Sequence, residues 1–241
     1  INIQTISIAI VAWLVMGVSV LLVLFITQNI DKAIRACLLL VVPLGNTSFL
    51  GIPLIKSILG DESLSYILIY DQFGTFLAVS TFGAFIIGMY EHGKVNWQAI
   101  GKKIVTFPPF IAIVLAFIIG QPQEDVKPYL AILAATLTPL AMVSVGYGLR
   151  LSFGEDKAIF FKAMSLKLLI IPIIGFFIAK AVGLDGLALQ TATLEAGMPS
   201  MITAGILAIR HNFAPVLASS MVGYGVLLSL FSVPLLNYIL F

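Results

Sequence analysis

The chain has 241 residues, of which 60% are hydrophobic and 10% charged, with a formal net charge of +2 and a mean hydropathy of +1.11. Soluble domains carry about 25% charge, so this composition excludes a water-soluble globule and implies an all-α polytopic membrane protein with room for roughly seven to nine spans. No basic patch, zinc spacing or RNA motif is present, which excludes a nucleic-acid partner, and the single Cys37 excludes an internal disulfide and most thiolate metal sites.

In chain order, the first span is predicted over about 5 to 27, nearly all aliphatic, with Trp13 inside and Gly17 as a close-packing point. No basic segment precedes it, so no separate signal peptide is expected. After the polar break at 28 to 32, the second span covers about 34 to 59 and is interrupted by Pro43-Leu44-Gly45-Asn46-Thr47-Ser48-Phe49-Leu50-Gly51-Ile52-Pro53. Two half-helices are expected there, one ending near Leu44 and one starting near Thr47 or Ser48, with Asn46, Thr47 or Ser48 as its cap. The third span covers 64 to 89, holds Asp71 and Gln72 in its first half, and runs into a polar loop that reaches Lys103.

The fourth span is expected over 104 to 120, with Pro108-Pro109 in its first turns, and the fifth over 129 to 149, with Pro139 near its middle. The sixth covers 158 to 179 and holds Lys167 and Pro172. The seventh, 186 to 209, is interrupted at Thr193-Leu194-Glu195-Ala196-Gly197-Met198-Pro199-Ser200, and the eighth covers 214 to 239.

Proline removes a backbone donor and glycine eases unwinding. In hydrocarbon, freed backbone must be satisfied by protein, water or a ligand. Two interrupted spans therefore suggest a carrier binding site. The order of plain, broken and glycine-bearing span occurs twice: Asn46 precedes Gly197 by the same 151 positions that separate Gly74 from Gly225. Each span crosses once, so the two triplets start on opposite sides. The expectation is an inverted-repeat transporter with two broken crossover helices, eight visible spans of an expected ten, the missing pair lying before the first span. Basic residues divide unevenly between the sides. Lys32, Arg35, Lys94, Lys102, Lys103, Arg150, Lys157, Lys162 and Arg210 face Lys56, Lys127 and Lys180, which puts the first group on the cytoplasmic side and both visible termini outside.

Gly45-Asn46-Thr47-Ser48-Phe49-Leu50-Gly51-Ile52-Pro53-Leu54 resembles the crossover motif of the auxin efflux carrier (PIN-like) transporter family, and Ala196-Gly197-Met198-Pro199-Ser200 resembles its second crossover. The resemblance covers essentially the whole chain. It implies the fold of the bile-acid/sodium symporter-like superfamily. Residues 1–89 and 151–241 would then hold transport helices and 90–150 scaffold helices, the latter offering a homodimer contact. It also implies organic-anion substrates, auxins in plants and dicarboxylates such as malate in some bacteria. The chain lacks the long hydrophilic central loop of the plant proteins, which points to the shorter microbial branch and a prokaryotic inner membrane.

Within this frame Asn46, Thr47, Ser48, Gln72 and Ser200 are the expected substrate contacts, since short uncharged donors beside a half-helix N-terminus suit a carboxylate. Pro43, Gly45, Gly51, Pro53, Gly197 and Pro199 shape the breaks. Asp71, Glu195 and Lys167 are the coupling candidates, because a charge inside a span is costly unless it is paired, hydrated or neutralised. Asp71 could instead stay hydrated near the interface, and Lys167 could snorkel outward. Tyr70, Tyr147 and Tyr224 are possible cavity walls, while Met142, Met198 and Met201 read as packing. His92 and His211 show no metal spacing, no catalytic motif is present, and neither enzyme activity nor a cofactor is expected. The sequence thus reads as a proton-coupled secondary carrier of small organic anions working by alternating access in contact with lipid. A sodium-coupled symporter, a non-transporting membrane sensor and a channel are the alternatives.

Overall fold

A computed structural model describes residues 3–92, 97–106, 108–120, 122–148, 151 and 157–241. Helix α1 (Ile3–Ile26) contains no proline and runs unbroken for 24 residues. Its C-terminal end is closed by Arg35, which donates to the carbonyls of Thr27 (3.1 Å through Nε) and Gln28 (2.8 Å), where a cation also suits the helix dipole. Asp31 then caps α2 (Lys32–Val41), its carboxylate accepting from the amides of Ala33 and Ile34.

The chain leaves helical geometry after Val41 and re-enters through a π-type turn at Thr47–Gly51 that runs on into α3 (Ile52–Leu59), with Pro53 just after the π-type turn. A short 3₁₀ turn at Asp61–Ser63 opens a rod made of α4 (Leu64–Ile69), π-type stretches at Tyr70–Phe76 and Val79–Gly83, and α5 (Ala84–Ile87). Four short helices follow: α6 (Trp97–Val105), α7 (Pro108–Ile119), α8 (Lys127–Ala135) and α9 (Leu137–Gly148). Next come α10 (Lys157–Ser165), a π-type turn at Leu166–Ile170, α11 (Ile171–Ala181), α12 (Gly186–Ala196), α13 (Ile202–Arg210) and α14 (Pro215–Leu240).

Around α1 pack α11, α12, α2 and the Tyr70–Phe76 stretch, while α2 and α13 lie against α14. Small residues allow close approach: a side chain on Gly74 would overlap Ala12, and one on Gly175 would come within 2.8 Å of Ala196. Gly17 has no such neighbour, so the expected close-packing point in α1 lies at Ala12 instead. The outer faces carry large exposed apolar side chains such as Phe25, Phe177, Phe231 and Ile239, a surface suited to lipid.

The expected eight spans require correction. Among the described residues, four helices are long and apolar enough to cross a membrane: Ile6–Ile26, Asp61–Tyr90, Lys157–Ala181 and Pro215–Leu240. The described residues contain no strand, only an isolated antiparallel bridge between Gly45 and Ser200. The inverted-repeat transporter of eight visible spans thus becomes an all-α polytopic membrane protein with four spanning helices among those residues. Proline explains much of the difference. α2 and α3 are separate pieces of 10 and 8 residues, and α12 and α13 are separate pieces of 11 and 9. α7 starts anew at Pro108, and the expected fifth span divides at Thr136, just before Pro139. Residues 97–103 are helical rather than the expected loop. Lys94 and Arg150, counted for the cytoplasmic side, lie outside the described residues.

Candidate functional site

The two helix interruptions meet each other in the interior. Asn46 N–H donates to the Pro199 carbonyl at 2.7 Å, and Met201 N–H donates to the Leu44 carbonyl at 2.9 Å. These bonds flank Gly45 and Ser200, which face each other as a non-hydrogen-bonded antiparallel pair. Each break thereby satisfies backbone groups that its own helices have released, which is what hydrocarbon demands. Gly197 closes α12, its N–H reaching the Leu194 carbonyl at 3.0 Å. Its bare Cα also leaves room for Pro172 and Leu236, each 3.3 Å from where a Cβ would stand. Pro43 lies in the turn before Gly45.

Asp71 projects from the π-type stretch of the long rod and is 1% exposed. Its Oδ1 accepts from the Thr47 and Ser48 hydroxyls, and its Oδ2 from the Gln72 side-chain amide. The hydroxyls therefore do not cap α3, as the sequence suggested. They tie the first break to the rod. Burial at 1% also removes the hydrated, interfacial alternative for Asp71.

Glu195, in the last turn of α12, is 1% exposed, and neither carboxylate oxygen has a hydrogen-bond partner. It lies against Gly51, where an added Cβ would fall 2.8 Å from Oε2. Lys167 is 2% exposed and does not snorkel; its ammonium sits over Gly45, 3.5 Å from where a Cβ would be. Asp71 and Lys167 are the charges that act on Glu195. Glu195, Lys167, Thr47, Gly45 and Tyr70 line one cavity together with Trp13, Thr75 and Pro43. About 20 Å³ of it is open to water centres, against the roughly 10–15 Å³ that one water needs.

Of the five expected substrate contacts, Thr47, Ser48 and Gln72 are thus engaged by Asp71. Asn46 and Ser200, each 1% exposed, leave Asn46 Nδ2 and Ser200 Oγ without partners, as is Gln72 Oε1. Tyr147 is 94% exposed and Tyr224 packs on Phe160, so of the three tyrosines only Tyr70 reaches the cavity. Met198 is fully buried, and Met201, partly buried, packs against the main hydrophobic core. His211 stacks near Phe213; the side chains of His92, Lys103 and Met142 lie outside those described. Trp13 carried no functional signal in the sequence, yet it walls the cavity and donates to the Phe73 carbonyl at 2.9 Å. A lone indole inside an aliphatic span was the available clue.

A sequence profile for membrane transport proteins matches residues 1–237. An uncharacterized transporter of Methanothermobacter thermautotrophicus is 33% identical over 199 residues, covering 81% of this chain and 65% of that protein. A second uncharacterized transporter, from Methanocaldococcus jannaschii, is 28% identical over 216 residues, covering 84% of this chain and 68% of that protein. The chain therefore spans about two thirds of the length of these curated relatives.

Proposed function

The chain belongs to the membrane transport protein family, and on that premise we propose that it is a proton-coupled secondary carrier of small organic anions, carboxylates among them. The fold is that of an integral membrane transporter rather than an enzyme. One observation carries the finer reading: the two breaks meet at Gly45 and Ser200, amid buried Asp71, Glu195 and Lys167 and the unpaired Asn46 Nδ2 and Ser200 Oγ. Asn46 offers a carboxylate a neutral donor, Lys167 a charge, and the start of α13 a favourable field. A site with two free neutral donors, Asn46 Nδ2 and Ser200 Oγ, and one cation distinguishes an anion from a neutral solute without fixing its shape.

The cavity as it stands accommodates water and no organic anion. Carriage therefore requires the walls to part, first toward one side and then toward the other. The lining lies wholly within residues 1–89 and 151–241, so the walls part inside that unit, between the two breaks, and the unit as a whole then shifts against 90–150, whose helices touch the rest chiefly where α9 meets the Thr47–Gly51 turn and α6 meets Val79–Gly83.

The test is uptake of radiolabelled malate by proteoliposomes holding the full-length protein. Accumulation should follow an imposed proton gradient, collapse with a protonophore and ignore sodium. Accumulation driven by sodium alone would replace the proton as the coupling ion. Malate binding with no uptake under either gradient would overturn the carrier reading.

A further inference from the structure

The two buried carboxylates differ in one decisive respect. Asp71 has both oxygens occupied by donors, from Thr47, Ser48 and Gln72. Glu195 has neither. We propose that Glu195 is the residue that carries the proton, with Lys167 as the cation that faces it once the proton has left, and that Asp71 is a fixed carboxylate that anchors the first break.

A carboxylate that accepts several hydrogen bonds is stable as an anion even out of water, because its lone pairs are satisfied. Protonating Asp71 would weaken its hold on all three donors, since a neutral carboxyl accepts less strongly than a carboxylate. An anion at Glu195 would have no donor at all while 1% exposed, among the costliest arrangements a protein interior can hold. A neutral carboxylic acid removes most of that cost. The room for it is built in: Gly51 has no side chain where the Glu195 carboxyl lies.

The surroundings leave few other charges to answer it. Asp71 and Tyr70 approach from the rod and Lys167 from the turn before α11. On α3, Lys56 turns away to Asp61 at the surface, 2.9 Å distant, beside Glu62 of the same 3₁₀ turn. Lys180 of α11 lies over Phe176. Neither α1 nor α14 contains a charged residue; the α14 tyrosines are Tyr224, packed on Phe160, and Tyr238, 85% exposed. On release, the Glu195 O–H bond breaks, the electron pair stays on the carboxylate, and the proton leaves through the water-sized cavity that Glu195 and Lys167 share. The cation beside that cavity then compensates the new anion.

The role in coupling rests on the carrier reading above; the location of the proton does not. It is read by pH-difference infrared spectroscopy of the full-length protein in lipid. The carbonyl stretch of a buried carboxylic acid should appear in the unmodified protein, vanish in Glu195→Gln and persist in Asp71→Asn. A band that survives Glu195→Gln, or one lost only in Asp71→Asn, overturns the assignment. Should Glu195→Gln fail to fold, dicyclohexylcarbodiimide, which modifies protonated carboxyls in apolar sites, is applied to the unmodified protein and the adduct mapped by mass spectrometry. An adduct at Glu195 with Asp71 untouched is expected; an adduct at Asp71, or none at Glu195, overturns the proposal. A titrating Glu195 in a protein that takes up no anion would sink the carrier reading and leave the proton where it is assigned.

Discussion

Gly51 holds its place because of a neighbour, not because of its own backbone. Its φ is −58°, open to any residue, yet an added Cβ would stand 2.8 Å from Glu195 Oε2 and 3.0 Å from Oε1. Either the carboxyl moves or the first break does. Overpacking of this kind costs about 1–3 kcal/mol, and residues in direct contact couple by about 0.5–3 kcal/mol. Gly51→Ala should therefore destabilise the protein in detergent by an amount in that range. The same change in a Glu195→Ala background, where the carboxyl is gone, should cost much less. Thermal unfolding of the four proteins closes the cycle. Equal losses in both backgrounds would mean that Gly51 serves the turn alone and that its contact with Glu195 is incidental.

At the level of elements, the informative feature is that three of the polar groups around the breaks ride on π-type turns: Thr47 on Thr47–Gly51, Asp71 on Tyr70–Phe76 and Lys167 on Leu166–Ile170. Each such turn inserts a residue into the helical ladder and re-aims its side chains, at some cost in hydrogen bonding. Trp13 offsets part of that cost at Phe73. Among the described residues, two backbone bonds, flanking Gly45 and Ser200, tie together the breaks that these turns surround. If carriage requires those walls to part, joining them covalently must stop it. Facing residues of a non-hydrogen-bonded antiparallel pair lie about 4.5 Å apart at Cα, within the reach of a disulfide. A Cβ at Gly45 meets nothing nearer than 3.5 Å, so a side chain fits there. Gly45→Cys with Ser200→Cys should form a crosslink on oxidation, abolish malate uptake, and regain it on reduction; Cys37 is fully buried and stays out of the exchange. Uptake that continues at the unmodified rate in crosslinked protein would show that the breaks do not separate during the cycle.

Across the whole molecule, what the sequence disclosed was chemical and what it hid was tertiary. Pro43, Gly45, Gly197 and Pro199 announce interruptions because their backbones cannot sustain a helix at low cost, and charged residues inside apolar runs announce Asp71, Glu195 and Lys167. The span count failed because hydropathy sees apolar length and not continuity, so Pro139 and Pro108 divided helices that composition alone had joined. The partners of Thr47 and Ser48 were hidden for another reason: a hydroxyl reads as a cap until folding brings Asp71, 24 and 23 positions away, within its reach. Sidedness depends on both kinds of information. Gln4 at the start of α1 bonds to Asp185 at 2.6 Å, and the Lys56–Asp61 pair lies where α3 meets the long rod. At the far end of that rod Tyr90 meets Phe213, and α2 begins nearby with Lys32 and Arg35, with Arg210 closing α13. One end thus carries Asp61, Glu62 and Asp185 with Lys56 and Lys180, and the other carries Lys32, Arg35 and Arg210 around its loops. The bias of basic residues toward cytoplasmic loops predicts that this second end faces the cytoplasm. A cysteine placed at exposed Asn29 should react with a membrane-impermeant maleimide only from the cytoplasmic face, and one at exposed Glu62 only from the opposite face, scored in right-side-out and inverted vesicles. Labelling of the two positions from the same face would contradict the path of α1 to α3, and labelling with the faces exchanged would show that the basic end is external.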